Sequence, residues 1–326
     1  MDRERVIALL RDDWGKMTGL VRSTLSSDVQ LLQSINDSLL NNGGKMLRPL
    51  LTMLVAKTCT CDGPLGEDSI RSAAGVEILH NATLLHDDVA DNAGTRRGTP
   101  TVMSAWGAVP AVLVGDFWLA RAVSLLSNSA DINWTIGEFA RTLTDLAEGE
   151  MLQQQKAFSS DTTVEDYLRI IFCKTASLFV TACETGAKTV KAPEAYMKAA
   201  GDYGRALGMA FQIRDDILDY AGDERTGKPV GIDLQEQKIT LPLLGALLQS
   251  PSKEAVIRAM IHAIPAHPEY CMRIRQIVLD AGGVEYANGK LNEYVDAALR
   301  ALEAFPESES RALLADIARE SAVRKK

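Results

Sequence analysis

The chain has 326 residues, with 35 Lys plus Arg against 43 Asp plus Glu and a net charge of −8. At 46 % hydrophobic and 24 % charged residues it is ordinary globular protein, which excludes a disordered, collagen-like or disulfide-stapled chain. An acidic balance also argues against general nucleic-acid binding, which needs a basic face, and near 300 residues one large core is feasible.

Residues 1–17 alternate charged with apolar side chains and lack the apolar run of a signal peptide. Nowhere is the chain read as approaching the ~20 apolar residues of a membrane helix, so no transmembrane segment is expected. After the break Asn41-Asn42-Gly43-Gly44, the run Gly43–Pro49 (GGKMLRP) sets Lys45 and Arg48 three apart at a helix start, where backbone N–H groups favour anions. A second break, Cys61-Asp62-Gly63-Pro64, precedes a long apolar helical run that ends in Leu84–Asp91 (LLHDDVAD). A turn punctuated by glycines follows, carrying Arg96 and Arg97. Pro110–Leu126 and Lys238–Leu248 are apolar on most sides and belong at the centre of a bundle or in a subunit interface. Asp161-Thr162-Thr163 ahead of Glu165 and Asp166 has the form of a helix N-cap. Val164, Tyr167, Leu168, Ile171 and Phe172 then keep helical spacing. Phe211–Asp219 (FQIRDDILD) closes a further apolar run, and Ser250-Pro251-Ser252 opens another helix.

Aromatics are only 6 %, while Ala and Leu dominate, a composition that favours helix over strand. With no repeat and no low-complexity linker, the reading is one all-α domain over residues 1–326, roughly a dozen helices around a central cavity. Cys59, Cys61, Cys173, Cys183 and Cys271 are odd in number and scattered, which fits a reducing compartment, the cytoplasm, and small buried or half-buried hydrophobes rather than metal ligands.

The two D-D-x-x-D triplets carry the chemistry. Helical spacing puts Asp87 and Asp91 on one face, and likewise Asp215 and Asp219, with Asp88 and Asp216 about 100° round. Like charges packed this closely need a counter-charge, and hard divalent cations, Mg²⁺ above all, supply it while sharing phosphate oxygens. With Lys45, Arg48, Arg96, Arg97, Lys174, Lys228 and Lys238 near such motifs, the pattern points to a pocket for two polyanions such as two diphosphates.

In this setting the chain resembles the trans-isoprenyl diphosphate synthases of the polyprenyl synthetase family. The matching runs, in family order, are GGKMLRP, EILHNATLLHDDVAD, RRG, LVGDF, AEGEMLQ, KTASL, FQIRDDILD and GKPVGIDLQEQKITLPL. The resemblance implies the isoprenoid synthase fold, a homodimer, and Mg²⁺-assisted ionisation of an allylic diphosphate followed by attack of isopentenyl diphosphate. Asp87, Asp91 and Asp215 would hold three Mg²⁺ ions, supported by Asp88, Asp216 and Asp219. Arg96, Lys174, Thr175, Gln212 and Lys238 would bind the allylic diphosphate, with Lys228 nearby. Lys45, Arg48, His80 and Arg97 would hold that of isopentenyl diphosphate. Small Ala82 and Thr83, one turn before Asp87, imply a medium- or long-chain product of octaprenyl type, with Trp118 a candidate cap on the tunnel. The alternatives are a shorter-chain synthase making farnesyl or geranylgeranyl diphosphate, a non-catalytic subunit of a heteromeric enzyme, and a terpene cyclase. A cyclase fits poorly with the second triplet and with Lys45 and Arg48.

Overall fold

The computed structural model describes residues 3–42, 44–96, 98–222 and 231–323. Helices α1 (Arg3–Leu10), α2 (Asp12–Thr24), α3 (Gln30–Asn41), α4 (Leu47–Cys59) and α5 (Glu67–Ala90) lead to a small antiparallel hairpin, β1 (Thr95–Arg96) with β2 (Thr99–Pro100). Then come α6 (Val102–Trp106), α7 (Ala108–Leu126), α8 (Ile132–Ser159), α9 (Val164–Ile171), a π-helical turn at Phe172–Ala176, α10 (Ser177–Thr189) and α11 (Glu194–Ala221). The remainder is α12 (Ile232–Gln235), α13 (Leu241–Gln249), a 3-10 turn at Pro251–Lys253, α14 (Glu254–His262), α15 (Tyr270–Asp280), α16 (Gly283–Leu302) and α17 (Glu309–Val323). The all-α expectation holds, but the expected dozen helices become seventeen α-helical segments among the described residues. The chain is cut more often than its turn residues announce: Arg11, at φ 47°, separates α1 from α2, and α6 and α12 are single short turns.

The backbone packs as two compact units, one of residues 1–140, 181–200 and 305–314 and one of residues 141–180, 201–304 and 315–326. In the first, α5 is central. Ser69, Ile70 and every residue from Ser72 to Leu79 are buried, so this stretch is enclosed on all sides rather than along one stripe. Its antiparallel neighbour is α7, and both contacts that fix their register use glycine. A Cβ on Gly75 would lie 2.7 Å from Leu126 Cδ2, and one on Gly115 would overlap the His86 ring. Only glycine lets the helices approach this closely, and with His86 level with Gly115, Thr83 comes level with Trp118.

In the second unit, α13 is buried from Leu241 through Leu247 and packs on α16. Pro242 occupies its first turn, where a missing N–H costs nothing. Ile213, Ile217, Leu244, Ile261, Ile274 and Leu291 join it in one apolar core that backs the end of α11. At roughly 1.5–3 kcal/mol per large apolar side chain, this core holds that helix end in place. The expected N-cap is a full capping box. The Thr163 hydroxyl accepts the Asp166 N–H at 3.1 Å, and Asp166 in turn accepts from the Thr163 N–H.

Two expectations need correction. Ala108–Leu126 and the continuous Val164–Thr189 are both long and apolar enough to cross a membrane by length and composition alone. Burial separates them: 83 % of the apolar window of Val164–Thr189 is buried, as in a core helix, against 33 % for Ala108–Leu126. The outward face of α7 carries Val109, Leu113 and Val123, at 69, 61 and 49 % exposure. Cys61, expected to be at least half-buried, is exposed, because it sits in the turn after α4 with φ 51°. The five thiols are free, and Cys173, Cys183 and Cys271 are buried.

Candidate active site

The first acidic motif is the last turn of α5. Asp87 is half-buried and Asp91 exposed, whereas Asp88, one step round the helix, is 5 % exposed. Arg96 reaches it from β1, its Nε donating to Asp88 Oδ1 at 2.7 Å. Burial raises the Asp88 carboxyl above its ordinary range, with Arg96 opposing. The hairpin that brings Arg96 back is built locally. Asn92 turns the chain at φ 50°, the Ala93 N–H bonds to the Asp88 carbonyl at 2.9 Å, and the Thr101 hydroxyl donates to the Ala93 carbonyl at 2.6 Å. Arg97 lies outside the described residues.

Upstream, Met46 takes a left-handed conformation (φ 49°) that starts α4 at Leu47 and sets Arg48 in its first turn. A guanidinium nitrogen of Arg48 lies 3.0 Å from His80 Nε2 on α5. A guanidinium only donates, so His80 accepts at that nitrogen. Of the residues assigned to isopentenyl diphosphate, the structure therefore brings Arg48 and His80 together, with Lys45 exposed just ahead of α4. Ala82 is fully buried, and the Thr83 hydroxyl donates to the His80 carbonyl at 2.8 Å. Trp118 is 2 % exposed, its indole N–H donating to Asn36 Oδ1 at 2.8 Å. The α5–α7 register sets it level with Thr83, about 6 Å along the helix from Asp87. Trp118 is thus about one helical turn from Asp87 in height, with its indole turned to Asn36.

The second motif is the last turn of α11. Asp216, 5 % exposed, spends both oxygens internally: the Tyr167 hydroxyl donates to Oδ2 at 2.6 Å and Gln212 Nε2 to Oδ1 at 2.8 Å. Gln212 Oε1 in turn accepts from the Thr175 hydroxyl at 2.7 Å. The Asp219 carboxylate accepts the backbone N–H groups of Ile232 and Asp233, at 3.0 and 3.1 Å, while Asp215 is exposed. Burial pushes Asp216 up to about 7 against its two hydrogen bonds, and burial raises Asp219 as well. Asp233 is held well above the usual carboxylate range by burial and by the Asp216 and Asp219 charges. Lys228 lies outside the described residues.

Beside this motif is a cavity of about 140 Å³ lined by Gln153, Lys156, Tyr167, Lys174, Gln212, Asp216, Asp233 and Lys238. Lys174 and Thr175 sit on the π-helical turn, a feature often found at functional sites because it re-aims side chains within a helix. Helix α8 lies tight against this turn at Gly149, where a Cβ would come 2.6 Å from Cys173 Cβ and 3.1 Å from the Lys174 backbone nitrogen. That approach lets Glu150 pair with Lys174, Oε2 to Nζ 2.5 Å, while Lys238 pairs with Glu236 at 2.5 Å. Burial works to raise the Glu150 carboxyl, but Lys174, Gln154 and the Lys238 charge outweigh it and hold Glu150 below its ordinary range.

Sequence reasoning did not assign Glu150, Tyr167 or Asp233. Glu150 and Asp233 stand inside runs already singled out, AEGEMLQ and GIDLQEQK, and Tyr167 reads as one of an apolar series until its hydroxyl is seen on Asp216. Among the described residues no three or more His, Cys, Asp or Glu side chains close on a common metal position. The donors in the motifs are hard carboxylate oxygens, with no thiolate or imidazole among them. Mg²⁺ suits such a set, because it takes one or two carboxylates and completes its shell with water and substrate phosphate.

Known proteins decide the family. The polyprenyl synthetase family model matches residues 29–278. The chain belongs to the polyprenyl synthetase family. It is 37 % identical over 324 residues to an all-trans-nonaprenyl-diphosphate synthase (geranyl-diphosphate specific) of Rhodobacter capsulatus, covering 97 % of this chain and 96 % of that one. It is 35 % identical to the octaprenyl diphosphate synthase of Escherichia coli K12, with 98 % of each covered. A solved polyprenyl synthase from Caulobacter crescentus CB15, complexed with calcium and isoprenyl diphosphate, superposes with a TM-score of 0.89 at 36 % identity, over 100 % of this chain and 98 % of that one.

Proposed function

We propose that the chain condenses isopentenyl diphosphate with an allylic diphosphate, repeatedly, to a medium- or long-chain all-trans polyprenyl diphosphate. It is an enzyme of the prenyl-transferring class by family membership. The observation that carries the chemistry is the cavity in which Lys174, Gln212 and Lys238 converge beside Asp216, with Thr175 hydrogen-bonded to Gln212. We assign Arg96, Lys174, Thr175, Gln212 and Lys238, with Lys228, to the allylic diphosphate. Lys45, Arg48, His80 and Arg97 take that of isopentenyl diphosphate.

Asp87, Asp91 and Asp215 are the residues assigned to Mg²⁺, expected as three ions. When bound, the metal neutralises charge that grows on the leaving diphosphate. Asp88, Asp216 and Asp219 hold the motifs in shape, each already engaged by Arg96, by Tyr167 and Gln212, or by backbone N–H groups. Lys174 and Lys238 add fixed positive charge where the allylic C–O bond breaks, and the apolar walls exclude water from the cation that results. Arg48 and His80 orient the second substrate so that its double bond lies beside that cation. The proton lost afterwards has the released diphosphate as its acceptor.

Ala82, buried and small, leaves room for a growing tail beside Thr83 and Trp118, which supports the longer products. The exposed apolar residues of α7, Val109, Val112, Leu113 and Val123, support a homodimer that would cover them. Five free thiols support a cytoplasmic setting, and one catalytic domain spanning 1–326 is our reading of the chain.

The test is the purified chain with Mg²⁺, radiolabelled isopentenyl diphosphate, and geranyl or farnesyl diphosphate as primer. A product ladder extending past geranylgeranyl diphosphate on thin-layer chromatography is expected. A ladder stopping there gives the shorter-chain enzyme, and no extension removes the catalytic reading. Ala82→Phe is expected to shorten the ladder, and an unchanged ladder would discard the assignment of the tail to this side of α5.

A further inference from the structure

The AEGE run of α8 sets a carboxylate, Glu150, on Lys174, one of three lysines that line the cavity together with the second-motif Asp216 and with Asp233. Glu150 Oε2 lies 2.5 Å from Lys174 Nζ, its Oε1 accepts from Gln154 Nε2 at 3.3 Å, and Lys238 is within electrostatic reach. The two paired side chains are only 19 and 24 % exposed, so water screens them little. Gly149 next door permits no side chain, which fixes the spacing between α8 and the π-helical turn that carries Lys174.

Resting on the prenyl-transfer reading, we propose that Glu150 is a positioning residue that stands in for the diphosphate between turnovers. It keeps Lys174 aimed into the cavity when no phosphate is bound and takes the ammonium back as diphosphate departs. Three lysines line one cavity of about 140 Å³ and repel one another unless each has an anion beside it; Asp161 and Asp166 serve Lys156, Glu236 serves Lys238, and Glu150 is the carboxylate on Lys174. A diphosphate supplies that anion during a turnover, and a tethered carboxylate supplies it afterwards. Because Glu150 cannot leave, it competes with the diphosphate for Lys174. The competition weakens diphosphate binding and speeds its release, which recurs at each elongation step. The exchange moves hydrogen bonds and charge contacts only, and no covalent bond changes.

Calorimetric titration of the full-length chain with inorganic diphosphate and Mg²⁺ tests this without relying on activity. Glu150→Gln is expected to bind diphosphate about tenfold more tightly, the scale of one partly shielded charge contact. In prenyl transfer, kcat and the KM for the allylic diphosphate are both expected to fall in that variant. Glu150→Asp keeps the charge and is expected to stay within about twofold of the wild-type affinity. Glu150→Ala removes the same charge and gives the same sign as Gln should the latter fold poorly. A merely structural role predicts the opposite, weaker diphosphate binding and a raised KM in the neutral variants, and either that result or unchanged affinity overturns the proposal. The wild-type chain separates the two levels: failure to extend a primer rejects the proposed function, whereas normal extension with no tighter binding in the neutral variants rejects only the role of Glu150.

Discussion

The two acidic motifs share the spacing D-D-x-x-D and the position at a helix end, yet they are anchored differently. The first holds its middle carboxylate by one charged partner, Arg96, brought in on a two-residue strand and itself 35 % exposed. The second holds its middle carboxylate by two neutral donors, the buried Tyr167 and the partly buried Gln212, and its last carboxylate by two backbone N–H groups. A charged, partly exposed tether leaves its own end hydrated when it moves, and the cost of losing it falls on the buried Asp88. A largely buried neutral network cannot be opened without leaving unsatisfied donors. The same sequence pattern thus gives one motif anchored by a single charge and one anchored by several neutral donors.

The largest expected effect tests whether both motifs act through their outer carboxylates. Asp87→Ala and Asp215→Ala should each lower kcat by about 10²–10³ or more, with little change in melting temperature, because neither side chain is fully buried. Near-wild-type turnover in Mg²⁺ for either variant would break the parallel. Next comes the difference in anchoring itself. Tyr167→Phe removes a buried hydrogen bond to a carboxylate and should cost about 1.5–3 kcal/mol of stability by denaturant unfolding. Arg96→Gln should cost less, since its guanidinium is partly hydrated already, while raising the KM for the allylic diphosphate. The reverse ranking in stability would show that the first motif is the more firmly anchored one.

Much of this was legible in the sequence because it rests on short-range pattern. Helical spacing and composition gave the all-α class, the N-cap before Glu165 and Asp166 followed from Asp161-Thr162-Thr163, and the separation of Asp88 and Asp216 from their outer neighbours followed from 100° per residue. What remained hidden depends on partners far apart in the chain. Tyr167 is 49 positions from Asp216, and Asn36 is 82 from Trp118, so neither hydrogen bond has a local signature. The close approaches at Gly149 and Gly115 depend on which helix packs against each, which their own segments do not show. The extra cut between α1 and α2 falls at Arg11, at φ 47°, a residue type that does not announce a turn.

The smallest expected effect is a pH dependence that separates the motifs by the same logic. In the folded chain burial pushes Asp216 from its ordinary 3.8 up to about 7. The folded state therefore binds this proton more tightly than the unfolded state does. Its contribution to stability is fully present below 3.8 and is lost as pH rises through about 7. Asp233 adds a slope of the same sign, because the Asp216 charge helps to raise it. Asp216→Asn should flatten both, since a neutral amide removes one titration and lets Asp233 fall back toward the ordinary range. Asp88 is raised by burial too, but Arg96 opposes the rise, so Asp88→Asn should change the slope less. Melting temperatures of the Mg²⁺-free proteins from pH 4 to 8 at fixed salt measure these slopes. A wild-type curve parallel to that of Asp216→Asn would mean that Asp216 is ionised throughout, and that the Tyr167 and Gln212 hydrogen bonds outweigh burial at the second motif as Arg96 is too exposed to do at the first.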